Sequence, residues 1–576
     1  MEQLQEKLLG VHGRGYRGYK ILRGRYVLDG FHLQVDWVQG DPYAEPSPMR
    51  LLVAPDRAAI PASLRNNRIR TTALEDYLAR QMERAIVHLV KGSRGSGHSG
   101  KVRIRTNGQA VLRRSALLVH EDGTVEARLR VGLPAAGRRP LVDEAREMLC
   151  EELPALVDKA LIYAHLDADD VTEHVNRIED QAWLREWLHK EGLVAFVANG
   201  AILPRRSGVD DRPMEHGAHP FSAPKSLLRT PTLPHAGPTP GMAIPQGVTL
   251  IVGGGFHGKS TLLQALERGV YNHRPGDGRE RVVTDPSAVK ICAEDGRAVH
   301  GVELRPFINH LPGGKPTHHF TTENASGSTS QAANIMEALA SGSRLLLMDE
   351  DTSATNFMIR DSGMRALVSP DREPITPLSD RIRRLYEEAG VSTILVMGGS
   401  SAFFSAADHV VMMDNYRPED VTTRAIELAA GLEMSNKEEM EAWHGSFADA
   451  YRDGFGRRLI PETLIPIGRS GRPGKIAWRT PKRLQFGELE LDLSRVEQLV
   501  DPGQGLAMGY LLRACGLLES PLELTPERAL SKVLDRMERD GFDAIRGEPS
   551  GELALPRLQE LTAAFNRMRV SAVKSI

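Results

Sequence analysis

The stretch that decides the fold of this chain is Gly253-Gly254-Gly255-Phe256-His257-Gly258-Lys259-Ser260. It fits the pattern G-x-x-x-x-G-K-[ST], in which glycines let successive backbone N–H groups surround an anion. The apolar run 247–252 before it indicates a strand, and residues 261–267 after it indicate a helix, which is the context this loop requires. The sequence therefore predicts an ATP site. The predicted binding residues are Gly253, Gly254, Gly255, Phe256, His257, Gly258, Lys259, Ser260 and Thr261.

Two acids follow a second apolar run. Residues 345–348 are all apolar and indicate a buried strand, which ends at Asp349 and Glu350. We expect Ser260 and Asp349 to hold Mg²⁺, while Glu350 orients and deprotonates an attacking water. Lys259 is expected to reach the β- and γ-phosphates, so Glu350 and Lys259 are the predicted catalytic residues.

Further segments indicate a subclass of these proteins. Residues 325–331 precede a predicted helix and resemble the signature motif LSGGQ of ABC-type ATPases, and Ser326 lies 23 residues before Asp349, as is typical of them. Residues 351–356 resemble their D-loop. Residues 392–397 and 407–414 resemble their last core strands.

The chain also departs from that pattern. Ser328 and Thr329 stand where the signature usually has Gly and Gln, and residues 398–401 (Gly-Gly-Ser-Ser) replace the usual switch histidine. Asn309 is the nearest candidate for the role of the missing glutamine-loop residue. Only a short segment separates it from the signature, whereas transporter ATPases place a helical subdomain there, so the spacing argues against transport.

Segments along most of the chain resemble one family, the predicted ATPases of the ABC class found across bacteria and in trypanosomal mitochondria. The matching stretches are 39–44, 131–138, 194–205, 253–263, 325–333, 349–360 and 373–377. The resemblance implies a homodimer that encloses two ATP molecules, with the signature of one subunit completing the site of the other. The residues that would act in trans are Ser326, Gly327, Ser328 and Thr329. The trypanosomal member of this family binds RNA and is linked to RNA editing, so the resemblance also suggests RNA as a partner.

The expected architecture is an α/β fold with three parts. Strand-like and helix-like segments alternate over residues 247 to 416, which indicates a P-loop NTPase core of the ABC type (191–420). This core includes a connection rich in Pro, Gly and His (217–245). An α+β N-terminal domain (1–190), a possible nucleic-acid-binding part, precedes it. A mostly helical C-terminal domain (421–576) follows it.

Composition and the N-terminal sequence indicate where the protein is located. The chain has 576 residues, a formal net charge of −2 and three cysteines without metal-binding spacing, as expected of a protein in a reducing compartment. The first residues lack the pattern of a signal peptide, and no apolar run is long enough to cross a bilayer. We therefore expect a cytoplasmic protein without a membrane partner.

Three basic runs suggest a nucleic-acid partner. Residues 84–120 contain eight Lys or Arg and no acid, residues 14–25 mix Tyr16 and Tyr19 with five cations, and residues 469–483 form a third run. Cations near aromatic rings permit phosphate contacts beside base stacking. The alternative is that the runs are solvated loops or pair with acids. The candidate binding residues are Arg94, Lys101, Arg103, Arg105, Arg472 and Lys475.

These features together predict an Mg²⁺-dependent ATPase that works as an ATP-gated homodimer and couples ATP to RNA or another nucleic acid. Two alternatives stay open. The chain could be a regulatory or protein-remodelling ATPase without a nucleic-acid partner, or a binding module that ATP stabilises and in which hydrolysis is incidental. The missing switch histidine predicts slow turnover.

Overall fold

The structure is a computed structural model that describes residues 1–106, 108–369, 372–432, 443–468, 471–480, 482–570 and 572–575. The chain forms two compact units. The N-terminal unit consists of residues 1–179 with 542–555, and the ATPase unit consists of residues 180–541 with 556–576. The domain boundaries at 190 and 420 stay a prediction.

The N-terminal unit is built on an antiparallel sheet. Its strands are, in spatial order, Gly24–Leu28, Phe31–Val35, Ser47–Val53, Val125–Val131 and Val102–Arg103, with Leu117–Val119 also paired to Val125–Val131. Burial alternates along Ser47–Val53, so every second residue faces the core. The sheet therefore has one face that must be covered.

Helices of the N-terminal unit pack into this core. The longest within it, Arg68–Leu89, begins at Asn67, whose side chain accepts the Arg70 N–H at 2.9 Å. The other helices are Glu2–Leu9, Tyr16–Leu22 (3₁₀), Pro55–Ala58, Ala62–Leu64 (3₁₀), Val142–Glu147, Met148–Glu152 (π), Leu153–Leu161, Tyr163–His165 (3₁₀) and Phe542–Arg546, and Ala168–Lys190 contributes residues to both units.

The ATPase unit contains a six-stranded sheet. Its spatial order is Val289–Ile291, Leu345–Asp349, Ser392–Val396, Val248–Val252, His409–Asp414 and Arg417–Asp420, and all neighbours are parallel except the last pair. The strands Leu345–Asp349 and Ser392–Val396 are buried at every position. Continuous burial is typical of a parallel sheet with helices on both faces, as the predicted α/β fold requires. The alternation expected over residues 247 to 416 is incomplete, because five strands follow one another between the helices Lys259–Arg268 and Gly327–Ala340.

Helices and a second sheet complete this part of the unit. The α-helices are Lys259–Arg268, Gly327–Ala340, Thr355–Met358, Ser362–Leu367, Ile382–Ala389 and Thr422–Leu432. The second sheet is antiparallel in the order Leu228–Arg229, Gly241–Pro245, Leu193–Ala198 and Val282–Thr284, and Arg297–Val302 pairs separately with Phe320–Ala325. Two of these strands belong to the segment 217–245, so part of the predicted connection is a structural element.

The last part of the ATPase unit mixes helices with a small sheet. Its α-helices are Phe447–Ala450, Pro502–Cys515, Pro526–Asp540 and Leu558–Asn566. The strands Ile476–Arg479, Arg483–Phe486 and Leu489–Asp492 form an antiparallel sheet, and Arg457–Leu459 pairs with Val573–Ser575. The sheet is an addition to the mostly helical region expected from the sequence.

Helices able to cross a membrane are absent from the described part of the chain. The cytoplasmic location stays a prediction.

The buried carboxyl of Glu75 makes the stability of the N-terminal unit depend on pH. Burial raises its pKa to about 7, although the Val119 N–H donates to it at 3.0 Å. The folded protein therefore keeps the carboxyl protonated where the unfolded chain ionises it. The resulting stability is complete below about pH 4.5 and is lost as the pH rises to about 7.

Glu75→Gln keeps an acceptor for the Val119 N–H and removes this ionisation. We expect the wild type to lose on the order of 2 kcal/mol more than the variant between pH 5 and pH 8, measured by denaturant unfolding. Glu83→Gln, an exposed carboxylate on the same helix, is the control. Equal pH dependence in Glu75→Gln and the wild type would contradict the prediction.

Candidate nucleotide site

The glycine-rich loop links the strand Val248–Val252 to the helix Lys259–Arg268 at the carboxyl edge of the sheet. Gly253 and Gly258 have φ of +135° and +97°, a region that side chains disfavour. A Cβ on Gly253 would lie 2.5 Å from the Met413 carbonyl oxygen. The loop therefore needs glycine both for its backbone conformation and for its close approach to the neighbouring strand.

Lys259 is the first residue of the helix that follows the loop. Its Nζ donates to the carbonyl oxygens of Gly253 and Gly254, both at 2.7 Å. Ser260 is exposed beside it. The first N–H groups of a helix have no partner within the helix and favour an anion, so cation, amides and hydroxyl converge on this loop.

The two predicted acids lie at the end of the strand Leu345–Asp349. Burial raises the pKa of the Asp349 carboxyl, an effect that nearby Lys290 opposes. The Glu350 Oε2 accepts the N–H groups of Gly398 and Gly399 at 2.7 and 3.1 Å. Backbone N–H groups thus hold the Glu350 carboxylate next to the glycine-rich loop. They belong to the Gly-Gly turn that stands where the usual switch histidine is missing.

Gly398 lies between the two opposite charges of the site. A Cβ on it would be 3.8 Å from both the Lys259 Nζ and the Glu350 Oε2. The structure therefore brings together three segments that are distant in sequence: the glycine-rich loop, the acidic strand end and the Gly-Gly turn. Asn309 bonds elsewhere, with its Nδ2 donating to the Arg305 carbonyl oxygen at 2.6 Å.

The predicted signature residues lie at the start of the helix Gly327–Ala340. Ser326 is exposed at its N-cap position, with its hydroxyl 3.0 Å from that of Thr329. Ser328 is buried instead, and its hydroxyl donates to the Asn356 Oδ1 at 2.6 Å. Its side chain thus ties the signature helix to the D-loop-like segment, whereas Ser326 is exposed and Gly327 and Thr329 are half-buried.

Tyr416 is a site residue that motif analysis missed. Its N–H donates to the His257 carbonyl oxygen at 3.1 Å, and a Cβ on Gly258 would be 2.7 Å from its ring. The ring stacks against His219, with centroids 5.8 Å apart and planes at 22°. Tyr416 has a φ of +64°, a costly conformation that often marks functional sites. An aromatic residue in the turn after a core strand was the only available signal.

The basic candidates fall into two groups. The Arg94 side chain is buried and paired with Glu144, Glu147 and Glu152, which removes it from any accessible surface. Arg103 pairs with Glu45 and Arg105 with Glu552. In contrast, the described part of the chain shows no ion pair for three exposed residues, Lys101, Arg472 and Lys475. Arg469 lies outside the described residues.

The expectation that Tyr16 and Tyr19 are available for base stacking is wrong. Both rings are buried, and their hydroxyls donate to the carbonyl oxygens of Leu133 and Pro134 at 3.1 and 2.8 Å. These tyrosines fill the core because a ring with a satisfied hydroxyl is stable there.

Three family models match consecutive parts of the chain. Residues 167–449 match the P-loop domain of the ABC ATPases, residues 1–164 match the N-terminal domain of ATPases of the ABC class, and residues 475–574 match the MRB1590 C-terminal domain. The chain belongs to the ATPases of the ABC class. The resemblance found in the sequence and the predicted fold class are confirmed.

One curated relative is the uncharacterized protein MJ1628 of Methanocaldococcus jannaschii, 28% identical over 330 residues, which span 55% of this chain and 70% of that protein. Solved structures that match include cbiO1 from Clostridium perfringens, part of the ABC transporter complex cbiONQ, at 18% identity and a TM-score of 0.24, covering 36% of this chain and 92% of that chain. Another is an ATP-binding cassette of an ABC transporter in its ADP conformation, at 14% identity and a TM-score of 0.22, covering 34% and 90%.

The partly exposed ring of Tyr416 beside the phosphate loop predicts a contact with the base. We expect Tyr416→Ala to raise the Kd for ATP about 5- to 150-fold, because stacking on a base contributes about 1–3 kcal/mol. Tyr416→Phe keeps the ring and is expected to keep the affinity.

Binding of inorganic tripolyphosphate, measured by calorimetry, separates the base from the phosphates. Its affinity is expected to stay unchanged in Tyr416→Ala. Equal losses for ATP and tripolyphosphate would mean that the ring only supports the loop.

Proposed function

We propose that this chain is an Mg²⁺-dependent ATPase that works as an ATP-gated homodimer and couples ATP to the binding of RNA or another nucleic acid. The observation that supports it most is the convergence of Lys259, Glu350 and the Gly398–Gly399 backbone at one edge of the sheet. Phosphoryl transfer depends mainly on positioning and charge, and this arrangement supplies both.

The residues present fit a magnesium ion bound with the nucleotide. Mg²⁺ prefers oxygen ligands and is usually bound through one or two carboxylates together with phosphates. The Asp349 carboxylate and the exposed Ser260 hydroxyl would hold it, and a cation would offset the burial that disfavours the charge on Asp349. When bound, the ion would neutralise charge on the phosphates.

Glu350 is proposed to accept a proton from the attacking water. Two backbone N–H groups orient its carboxylate, so the turn 398–399 takes over a positioning role without a histidine. Lys259 would leave the carbonyl oxygens of the loop for the phosphates. Ser326 at the exposed start of the signature helix is proposed to meet the nucleotide of the partner subunit, as the family resemblance implies.

Replacing the proposed base tests hydrolysis. Glu350→Gln keeps one side-chain oxygen that can accept from both N–H groups but cannot take up the proton, so we expect turnover to fall about 10²–10⁴-fold while ATP binding is kept. The chain should then accumulate as an ATP-bound dimer, measured by light scattering. The control is Glu427→Gln, an exposed carboxylate on the helix Thr422–Leu432 of the same unit. Unchanged turnover in Glu350→Gln would contradict the role.

The nucleic-acid partner is tested by ATPase rates. We expect single-stranded RNA, duplex RNA or DNA to raise the rate, and the stimulation to weaken between low and high salt because phosphate contacts release counterions. No binding and no stimulation by any of them would contradict this part of the proposal. It would favour the regulatory or protein-remodelling alternative.

A further inference from the structure

Cations recur at every third residue along the 3₁₀ helix Tyr16–Leu22 and just beyond its two ends. Arg14, Arg17, Lys20 and Arg23 recur every three residues and are all exposed. A 3₁₀ helix has three residues per turn and rises about 2 Å per residue, so side chains three apart stand one above another at about 6 Å. The sequence spacing and the helix type together place Arg17 and Lys20 in line, with Arg14 and Arg23 just beyond the two ends.

The opposite face fixes the orientation of this row. Tyr16, Tyr19 and Leu22 share the same three-residue spacing and are buried. The two rings meet edge to face with centroids 5.3 Å apart, and both hydroxyls donate to backbone carbonyls about 115 residues away in sequence. The helix therefore cannot roll, and its cations stay directed outward.

Tertiary structure adds two more cations beside the row. The hairpin that pairs Ala135–Ala136 with Arg139–Pro140 carries Arg138 and Arg139, both exposed. The Tyr16 N–H donates to the Arg138 carbonyl oxygen at 2.8 Å, which joins the hairpin to the start of the helix. We call this surface the cationic stripe, and it consists of Arg14, Arg17, Lys20, Arg23, Arg138 and Arg139.

No carboxylate neutralises the cationic stripe among the residues that the structure describes, since none of its six side chains forms an ion pair there. Residues 10–28 contain no Asp or Glu. The basic run at 84–120 differs, because its Arg94, Arg103 and Arg105 pair with acids, although Lys101 shows no ion pair in the described part of the chain. Unpaired like charges held in a fixed row repel one another, and a polyanion would relieve that repulsion.

We propose that the cationic stripe binds the phosphate backbone of a nucleic-acid strand without reading its bases. This rests on the proposed nucleic-acid function and names the surface involved. Cations in line along one helix face, with two more beside them on the hairpin, suit a linear polyanion. The aromatic rings that could stack on bases face the core, so recognition depends on phosphates alone. Six contacts correspond to a slope of log K against log salt of about −4 for a single strand and about −5 for a duplex.

The test uses the full chain and fluorescence anisotropy with labelled oligo-U, oligo-A of equal length and an RNA duplex, at several salt concentrations. Arg17→Ala/Lys20→Ala is expected to weaken binding and to make the single-strand slope shallower by about 1.4. Arg17→Lys/Lys20→Arg keeps both charges and is expected to keep the slope.

The matched control is Arg57→Ala/Arg146→Ala. It removes the same charge from exposed positions in the same unit, where Asp158 and Glu151 already pair with the arginines. Its slope is expected to equal that of the wild type. Thermal unfolding checks that all variants fold.

The outcomes distinguish a failure of the cationic stripe as the binding surface from a failure of the proposed nucleic-acid function. If the wild type binds and Arg17→Ala/Lys20→Ala has the slope of the control, the cationic stripe is not the binding surface, although the nucleic-acid function stands. A preference of more than tenfold between oligo-U and oligo-A would overturn phosphate-only recognition. If Arg17→Ala/Lys20→Ala loses the binding of the wild type to phosphatidylserine vesicles but keeps its binding to nucleic acid, the cationic stripe is a membrane-binding surface and the proposal is overturned. If the wild type binds no nucleic acid, the proposed function itself fails.

Discussion

Parallel strands that are covered on both faces can present polar groups only where they end, and this constraint organises the ATPase unit. The strands Leu345–Asp349 and Ser392–Val396 are buried throughout, so their flanking polar residues emerge at the carboxyl edge. Because the strand that leads into Gly253 runs parallel to both, its loop emerges at the same edge. The sheet thereby collects a cation, two carboxylates and a Gly-Gly turn from distant segments.

Hydrogen bonds from backbone groups hold the charged side chains at this edge. Carbonyl oxygens of the loop hold the Lys259 ammonium, and the N–H groups of Gly398 and Gly399 hold the Glu350 carboxylate. A Cβ at Gly399 would lie 3.3 Å from the Glu350 Oε1, so the small residues leave the room the carboxylate needs. The Gly-Gly turn that replaces a histidine is therefore a part of the site with its own physical role.

Arginines serve two opposite purposes in this chain. Arg94 and Arg457 are buried against carboxylates, and removing one partner of such a buried pair typically costs about 3–5 kcal/mol, so these residues maintain the fold. Those of the cationic stripe are exposed and unpaired in the described structure, and they add charge without adding stability. A basic run in the sequence does not distinguish the two cases, because the acids that neutralise Arg94 come from a helical segment about 50 residues away.

The sequence by itself determined the nucleotide loop, the acidic strand end, the α/β core and the family, since each depends on residues close together in the chain or on the burial pattern of a strand. Only the tertiary structure decided that Glu350 meets Gly398, that Tyr416 lies beside the loop and that Tyr16 and Tyr19 face inward. Those contacts join segments that local propensity does not relate. The face that a side chain presents depends on what packs against it, so burial separated the structural cations from the exposed ones.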